Sequence, residues 1–328
     1  MLHSHSKIQE KLRFALGEDI YSALSDPNVI EVMLNGDGKV WLDTFSGMNY
    51  FCDLDSGRAK NLINTVASVS EVVVNRDSPS IEGEIRVLIE DDLKLFRFQG
   101  LIPPISSYPI FNIRKPSSRV IPLDDYLKDK VINQGAFQYL RNAVSHYLSI
   151  LIVGGTGSGK TTLANALLNE IAIQTPKDRV AIIEDTVELQ CNVENKIQLR
   201  TSDNRSMNDL LRYCMRLRPD RIIVGEVRGK EALSLIKAWN TGHRGGVSTV
   251  HANSAYSGLL RLEQLVQEAN VNVVPESVAE AINIIVYITR SSGNVSGWLV
   301  ESVLRVKGYN KNNNEYILQE VTNEKEYL

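Results

Sequence analysis

The strongest constraint on how this chain can fold is a run of eight residues near its middle, Gly154-Gly155-Thr156-Gly157-Ser158-Gly159-Lys160-Thr161. An apolar, β-branched stretch from Ile150 to Val153 leads into it, and Leu163, Ala166, Leu167 and Leu168 follow on the buried side of a helix. Glycines between a strand and a helix let the backbone curl until its N–H groups converge at the helix N-terminus, where they favour an anion. Lys160 adds an ammonium for the β and γ phosphates of a nucleotide, Thr161 a hydroxyl for Mg²⁺, and Thr162 a contact on the α-phosphate side. ATP and Mg²⁺ are therefore the expected ligands. A chance match to this pattern in a chain of this length arises on the order of one time in a hundred, so a plain glycine-rich turn is the weaker reading.

From residue 131 onward, short apolar runs at 150–153, 180–184, 196–200, 222–225, 247–250 and 284–289 alternate with helical stretches near 160–173, 206–217, 229–240, 255–269 and 275–282. That alternation predicts a mostly parallel sheet with helices on its faces. Ligands of such sheets sit beyond the carboxyl ends of the strands, which brings further groups to the glycine-rich loop. Arg221 to Gly225 releases Glu226, Val180 to Ile183 releases Glu184 and Asp185, and Val247 to Val250 releases His251. Phosphoryl transfer to water needs a carboxylate to orient the nucleophile and oxygen ligands for Mg²⁺ or its waters. Glu226 is read as the base and Glu184 as the partner on the Mg²⁺ side, with Thr161, Glu184 and Glu226 around the ion, partly through water. Sequence alone leaves the order of the two carboxylates open. His251 is read as a phosphate sensor or water ligand, whereas His243 precedes its strand and falls at the opposite end.

The first part of the chain has a different texture. Ile8, Leu12, Leu16, Ile20 and Leu24 recur every four residues and predict an amphipathic helix over 7–24. Val29 to Leu34, the turn residues Asn35-Gly36-Asp37-Gly38 and Lys39 to Asp43 predict a hairpin. A helix over 59–69 and strands over 84–101 complete a small α+β domain. Five of the ten prolines fall between Pro103 and Pro122, where the chain reads either as a linker or as an extended strand, Ile110 to Arg114, pinned between prolines. The expected boundaries are an α+β domain over 1–115, a linker over 116–130 and a P-loop domain of RecA-like α/β type over 131–328. Across 328 residues, 43% hydrophobic and 23% charged content excludes disordered and membrane-embedded classes. The net charge of −3 gives no global basic field, so direct nucleic-acid binding is not expected. The odd, widely spaced Cys52, Cys191 and Cys214 fit a reducing cytosol, and no apolar run is long enough for a membrane span.

Four boxes in order carry a family resemblance: the glycine-rich run at 154–161, the acidic run Glu184-Asp185-Thr186-Val187-Glu188-Leu189, the stretch from Leu217-Arg218-Pro219-Asp220 to Gly225-Glu226-Val227-Arg228, and the histidine stretch from Thr241-Gly242-His243 to His251-Ala252-Asn253. The chain resembles the secretion traffic ATPases of type IV secretion, conjugation, type II secretion and type IV pili. Residues 237–253 resemble the conjugative-transfer branch. The resemblance implies a homo-hexamer in the cytoplasm, docked through partner proteins on an inner-membrane secretion or conjugation complex, with ATP hydrolysis moving the N-terminal domains against the C-terminal ones. It also implies that Arg97 and Arg114, in Phe111-Asn112-Ile113-Arg114-Lys115-Pro116, face the phosphates across a domain or subunit boundary. A pilus motor or a type II secretion motor would share every catalytic box; a nucleic-acid translocase also uses this core and is disfavoured by the charge balance.

Overall fold

The computed structural model describes residues 2–90, 92–115, 120–202, 204–291, 293–294 and 296–321, without the side chains of 2–6. It divides into two compact units, Met1–Ser118 and Arg119–Leu328.

The first unit begins with helix α1 (Leu2–Ser25), which is interrupted at Gly17, where φ is 70° and ψ 170°. Strands β1 (Val29–Leu34), β2 (Lys39–Thr44) and β3 (Gly47–Asp53) follow, then helix α2 (Ser56–Val69) and strands β4 (Ser80–Ile89), β5 (Asp92–Leu101) and β6 (Ile110–Arg114). Asp55 caps α2 by accepting the Arg58 N–H. The strands form one sheet in the order β3-β2-β1-β6-β5-β4. Leu12, Leu16, Ile20 and Leu24 from α1 pack with Leu62, Ile63 and Val66 from α2 against Val32, Phe96, Phe98 and Ile113 of the sheet. Because side chains alternate along a strand, the sheet residues between these core positions point to the other face. There Glu31, Arg114, Arg97 and Glu84 stand side by side across β1, β6, β5 and β4.

The second unit runs α3 (Leu123–Lys128), α4 (Gln134–Ser145), β7 (Ile150–Val153), α5 (Lys160–Gln174), β8 (Val180–Glu184), β9 (Lys196–Arg200), α6 (Met207–Cys214), β10 (Arg221–Val224), α7 (Glu231–Asn240), β11 (Val247–Val250), α8 (Ala255–Gln267), α9 (Pro275–Ala281), β12 (Ile284–Arg290), β13 (Trp298–Asn310) and β14 (Glu315–Glu320). Its sheet has the order β14-β13-β12-β7-β11-β10-β8-β9. Strands β7 to β12 pair in parallel, and the β13–β14 hairpin extends the β12 edge in antiparallel fashion. The central strands are buried on both sides, so β7, residues 180–183 of β8 and residues 222–224 of β10 read as continuous apolar runs, while β11 carries Ser248 and Thr249. Ile150 and Ile152 of β7 pack with α3, α4 and α5, while Leu151 and Val153 pack with α6, α7, α8 and α9. At the amino end of β10, Arg221 is buried and donates to Asp178 Oδ2 at 2.6 Å, with its guanidinium 4.0 Å from the Tyr147 ring centre. No helix among the described residues is long and apolar enough to cross a membrane.

Of the two readings of the proline-rich stretch, the extended strand holds at Ile110–Arg114, and it lies between β1 and β5 rather than at an edge of its sheet. Residues 116–119 of the expected linker lie outside the described residues. The remainder of 116–130 carries α3, which belongs with the second unit: Leu123 and Tyr126 are buried in its core with Leu127 packed alongside. That i, i+3, i+4 stripe begins just after Pro122, which sits at the helix N-cap.

Candidate functional site

Strand β7 ends at Val153 and the chain turns through the glycine-rich loop into α5, whose N-cap is Gly159 with φ 91°. A side chain is poorly tolerated in that left-handed conformation, and a Cβ at Gly159 would also lie 3.1 Å from the Trp298 ring. At Gly154 a Cβ would come within 2.3 Å of the Ile288 carbonyl and 2.4 Å of Ser158 Oγ. The loop is thus packed against β12 and β13 from outside, which leaves its curl no freedom to relax. Arg290, at the end of β12, reinforces it by donating Nε–H to the Gly157 carbonyl at 3.0 Å. Ser158 Oγ is buried without a protein hydrogen-bond partner, a polar atom placed where a phosphate or its ion would supply one.

Lys160 is 7% exposed. Its Nζ donates to the carbonyls of Gly154 at 3.0 Å and Gly155 at 2.7 Å and reaches His251 Nδ1 at 3.3 Å. An ammonium can only donate, so Nδ1 is the acceptor wherever this contact is a hydrogen bond. That nitrogen is 3.1 Å from Glu226 Oε1, and Arg228 Nη2 donates to Glu226 Oε2 at 2.7 Å. Lys160, His251, Glu226 and Arg228 therefore form one connected chain. Burial pushes the Glu226 carboxyl up, but the hydrogen bond and charge of Arg228, then His251 and Lys160, outweigh it and hold the group below the ordinary glutamate range. The loop that presents Glu226 is fixed by Thr249 Oγ1, which donates to the Gly225 carbonyl, and by Glu231 Oε1, which accepts the N–H groups of Arg228 and Gly229.

Glu184 is 5% exposed at the end of β8. Its Oε1 accepts the backbone N–H groups of Glu188 at 2.9 Å and Leu189 at 2.8 Å, so the carboxylate anchors the acidic run. Asn165 of α5 holds the same run from the other side, accepting from Gln190 N–H and donating to the Glu188 carbonyl. The helix that begins at the glycine-rich loop and the loop after β8 are thereby tied together. Asp185 Oδ1 accepts from Thr201 Oγ1 at 2.9 Å. His243 Nδ1 lies 3.0 Å from the Pro219 carbonyl, just before β10. Among the described residues no group of three or more His, Cys, Asp or Glu side chains converges as a metal cage.

In the first unit, Arg97 and Arg114 are direct cross-strand neighbours on β5 and β6. Arg97 is 3.4 Å from Glu82, and Asn112 donates to Glu31 at 3.0 Å on the same face.

The sequence profile of type II/IV secretion system proteins matches residues 62–312. The chain belongs to that family. It is 45% identical over 312 residues to the conjugal transfer protein TrbB of Rhizobium radiobacter, covering 95% of this chain and 94% of that one. It is 32% identical to the type IV secretion system protein PtlH of Bordetella pertussis over 82% of this chain and 88% of the relative. In fold it resembles the Yersinia pseudotuberculosis ATPase DotB, with a TM-score of 0.64 at 16% identity over 85% of this chain and 76% of that one. The resemblance to secretion proteins, and to their conjugative-transfer members in particular, agrees with these matches.

Within this family member, the fold gathers the glycine-rich loop, Lys160, His251 and Glu226 at the carboxyl ends of β7, β10 and β11, with Glu184 at the end of β8. Thr161 and Thr162 lie in the first turn of α5 and are half-buried. Arg97 and Arg114 lie in the other unit. Sequence reading missed Arg228 as the partner of Glu226, and it missed Arg290 and Trp298 as supports of the loop. Arg228 follows Glu226 by two residues, and Arg290 closes the last parallel strand at the same sheet end, so both signals were present. Trp298 gives no such local sign.

Proposed function

We propose that the chain is the ATP-hydrolysing subunit of a hexameric motor that serves a conjugative type IV secretion system at the cytoplasmic face of the inner membrane, attached there through partner proteins. The observation that carries the reading is the connected chain from Lys160 of the phosphate loop through His251 to Glu226. In this reading the C-terminal unit is a RecA-like P-loop domain. The N–H groups of 154–161 hold the phosphates of ATP at the α5 N-terminus, and Lys160 turns from the loop carbonyls to the β and γ oxygens. Thr161, with Glu184 and Glu226 through water, would hold Mg²⁺, which neutralises charge on the phosphates. Glu226 orients a water and takes its proton as the water oxygen bonds to the γ phosphorus and the bond to the ADP oxygen breaks. His251, linked to both Lys160 and Glu226, couples the occupant of the loop to the carboxylate. Arg97 and Arg114 supply positive charge from an N-terminal unit, and hydrolysis moves the two kinds of unit against each other.

The test uses the purified full-length chain. Glu226→Gln should retain ATP binding and lose turnover by about 10²-fold or more, whereas Lys160→Ala should lose both. Full turnover by either variant would remove the site assignment.

A further inference from the structure

Beside the phosphate loop, the carboxyl ends of β10 and β11 and the flank of α8 enclose an open cleft of about 280 Å³, lined by Glu226, Val227, Arg228, Val250, His251 and Arg261. We propose that this cleft is a binding site for the orthophosphate produced by hydrolysis, with Arg228 and Arg261 as its cationic walls. The proposal rests on the ATPase reading above.

Three observations support it. The lining brings the guanidinium groups of Arg228 and Arg261 and the imidazole of His251 together, donors that suit a tetrahedral oxyanion, with Arg228 already paired to Glu226 at 2.7 Å and 3.9 Å from Asp185. Arg261 projects into it from α8 and pairs with no carboxylate among the described residues; its hydrogen bond is to Gln264 Oε1 at 3.2 Å, one turn along the same helix. Its charge is therefore not consumed by the Glu226 cluster, and the packing of α8, carried by Leu259, Leu262 and Leu265, does not depend on it.

Position is the second observation. No residue of the glycine-rich loop lines the cleft, yet His251 belongs to both places, touching Lys160 through one nitrogen and Glu226 through the other. A phosphate that leaves the γ position past Glu226 and His251 enters this space directly. Size is the third. The volume lies just below the roughly 300–1,000 Å³ of pockets that enclose drug-sized ligands, so it admits a hydrated phosphate.

The same arginine could instead touch the γ phosphate before cleavage, and the experiment separates these sources. Wild type, Arg261→Gln and Arg261→Lys are compared as full-length proteins by quenched single-turnover cleavage of ATP and by inhibition of steady-state turnover with added inorganic phosphate. The proposal expects Arg261→Gln to cleave within about 2-fold of wild type while its inhibition constant for phosphate rises about 5- to 10-fold, with Arg261→Lys between the two. Unchanged inhibition overturns it. A loss of cleavage that parallels the loss of inhibition also overturns it, because Arg261 would then act on bound ATP. Binding of inorganic phosphate to the wild type with ADP present, followed by ³¹P NMR, needs no variant, and its absence at 10 mM on the order of cellular phosphate levels would likewise reject the site. A wild type that binds phosphate but never cleaves ATP would leave the cleft standing and remove the ATPase reading instead.

Discussion

Glu226 and Asp178 are both carboxylates that burial would neutralise and that an arginine keeps ionised, but the consequences differ with their surroundings. Glu226 stays anionic as the pH falls until its lowered folded-state value is reached, so the acid limb of turnover should lie below the ordinary glutamate range. Arg228→Gln removes the largest stabilising influence on that anion and should move the acid limb upward, read as the pH profile of single-turnover cleavage; an unmoved limb would mean that another group controls it. Asp178 is held low by its hydrogen bonds from Arg221, Tyr147 and Thr175, against the upward push of burial. Its contribution to stability is complete above the ordinary aspartate value and is lost as pH falls through the lowered one. Arg221→Met leaves that carboxylate buried without its partner and should cost about 3–5 kcal/mol in chemical denaturation at neutral pH. A cost near zero would show that Tyr147 and water suffice.

At the scale of elements, α1 depends on one residue for its direction. Gly17 has φ 70° and ψ 170°, a region open essentially to glycine, and it divides the helix between Leu16 and Ile20, both fully buried. Gly17→Ala should lower stability by about 1–3 kcal/mol, measured by denaturant unfolding, and the nearby Arg58 side chain can move aside at little cost. The four-residue period that predicted this helix is insensitive to such a break, because the face is resumed after it. The strands β7, β8, β10, β11 and β12 were legible because water is excluded from both faces of their central positions, which are apolar or β-branched apart from Ser248. Strand β3 was not: Met48, Asn49, Tyr50 and Phe51 are all exposed along an edge, so no alternation marks them. The β13–β14 hairpin was legible only at its tip, near Asn312 to Asn314, since its strands mix buried and exposed residues with shifts in register. Helix α4 carried a usable signal, an Asn133 cap before Phe137, Leu140 and Val144, that the sequence reading passed over. The candidate site was legible wherever a strand end delivers the side chain, as with Glu184, Glu226 and His251. It was opaque where distant strands meet, as with Trp298 beneath Gly159.

For the molecule as a whole, the two arginines of the first unit and the phosphate loop of the second must act together for the proposed cycle to run. Arg114→Ala should leave nucleotide affinity near that of the wild type and reduce turnover by about 10³-fold or more, the scale of an arginine acting on the transferred phosphoryl group. Native mass spectrometry with ATP should find six copies; a monomer with and without ATP would count against the ring. The place of β6 in its own sheet bears on how the first unit could bear load. Strand β6 is the last element of the first unit, and it is paired along both sides, to β1 and to β5. A pull along the axis of this strand would load its two ladders together in shear, whereas an edge strand would peel away bond by bond. A tether anchored in the middle of a sheet can carry load repeatedly without unravelling the body it pulls.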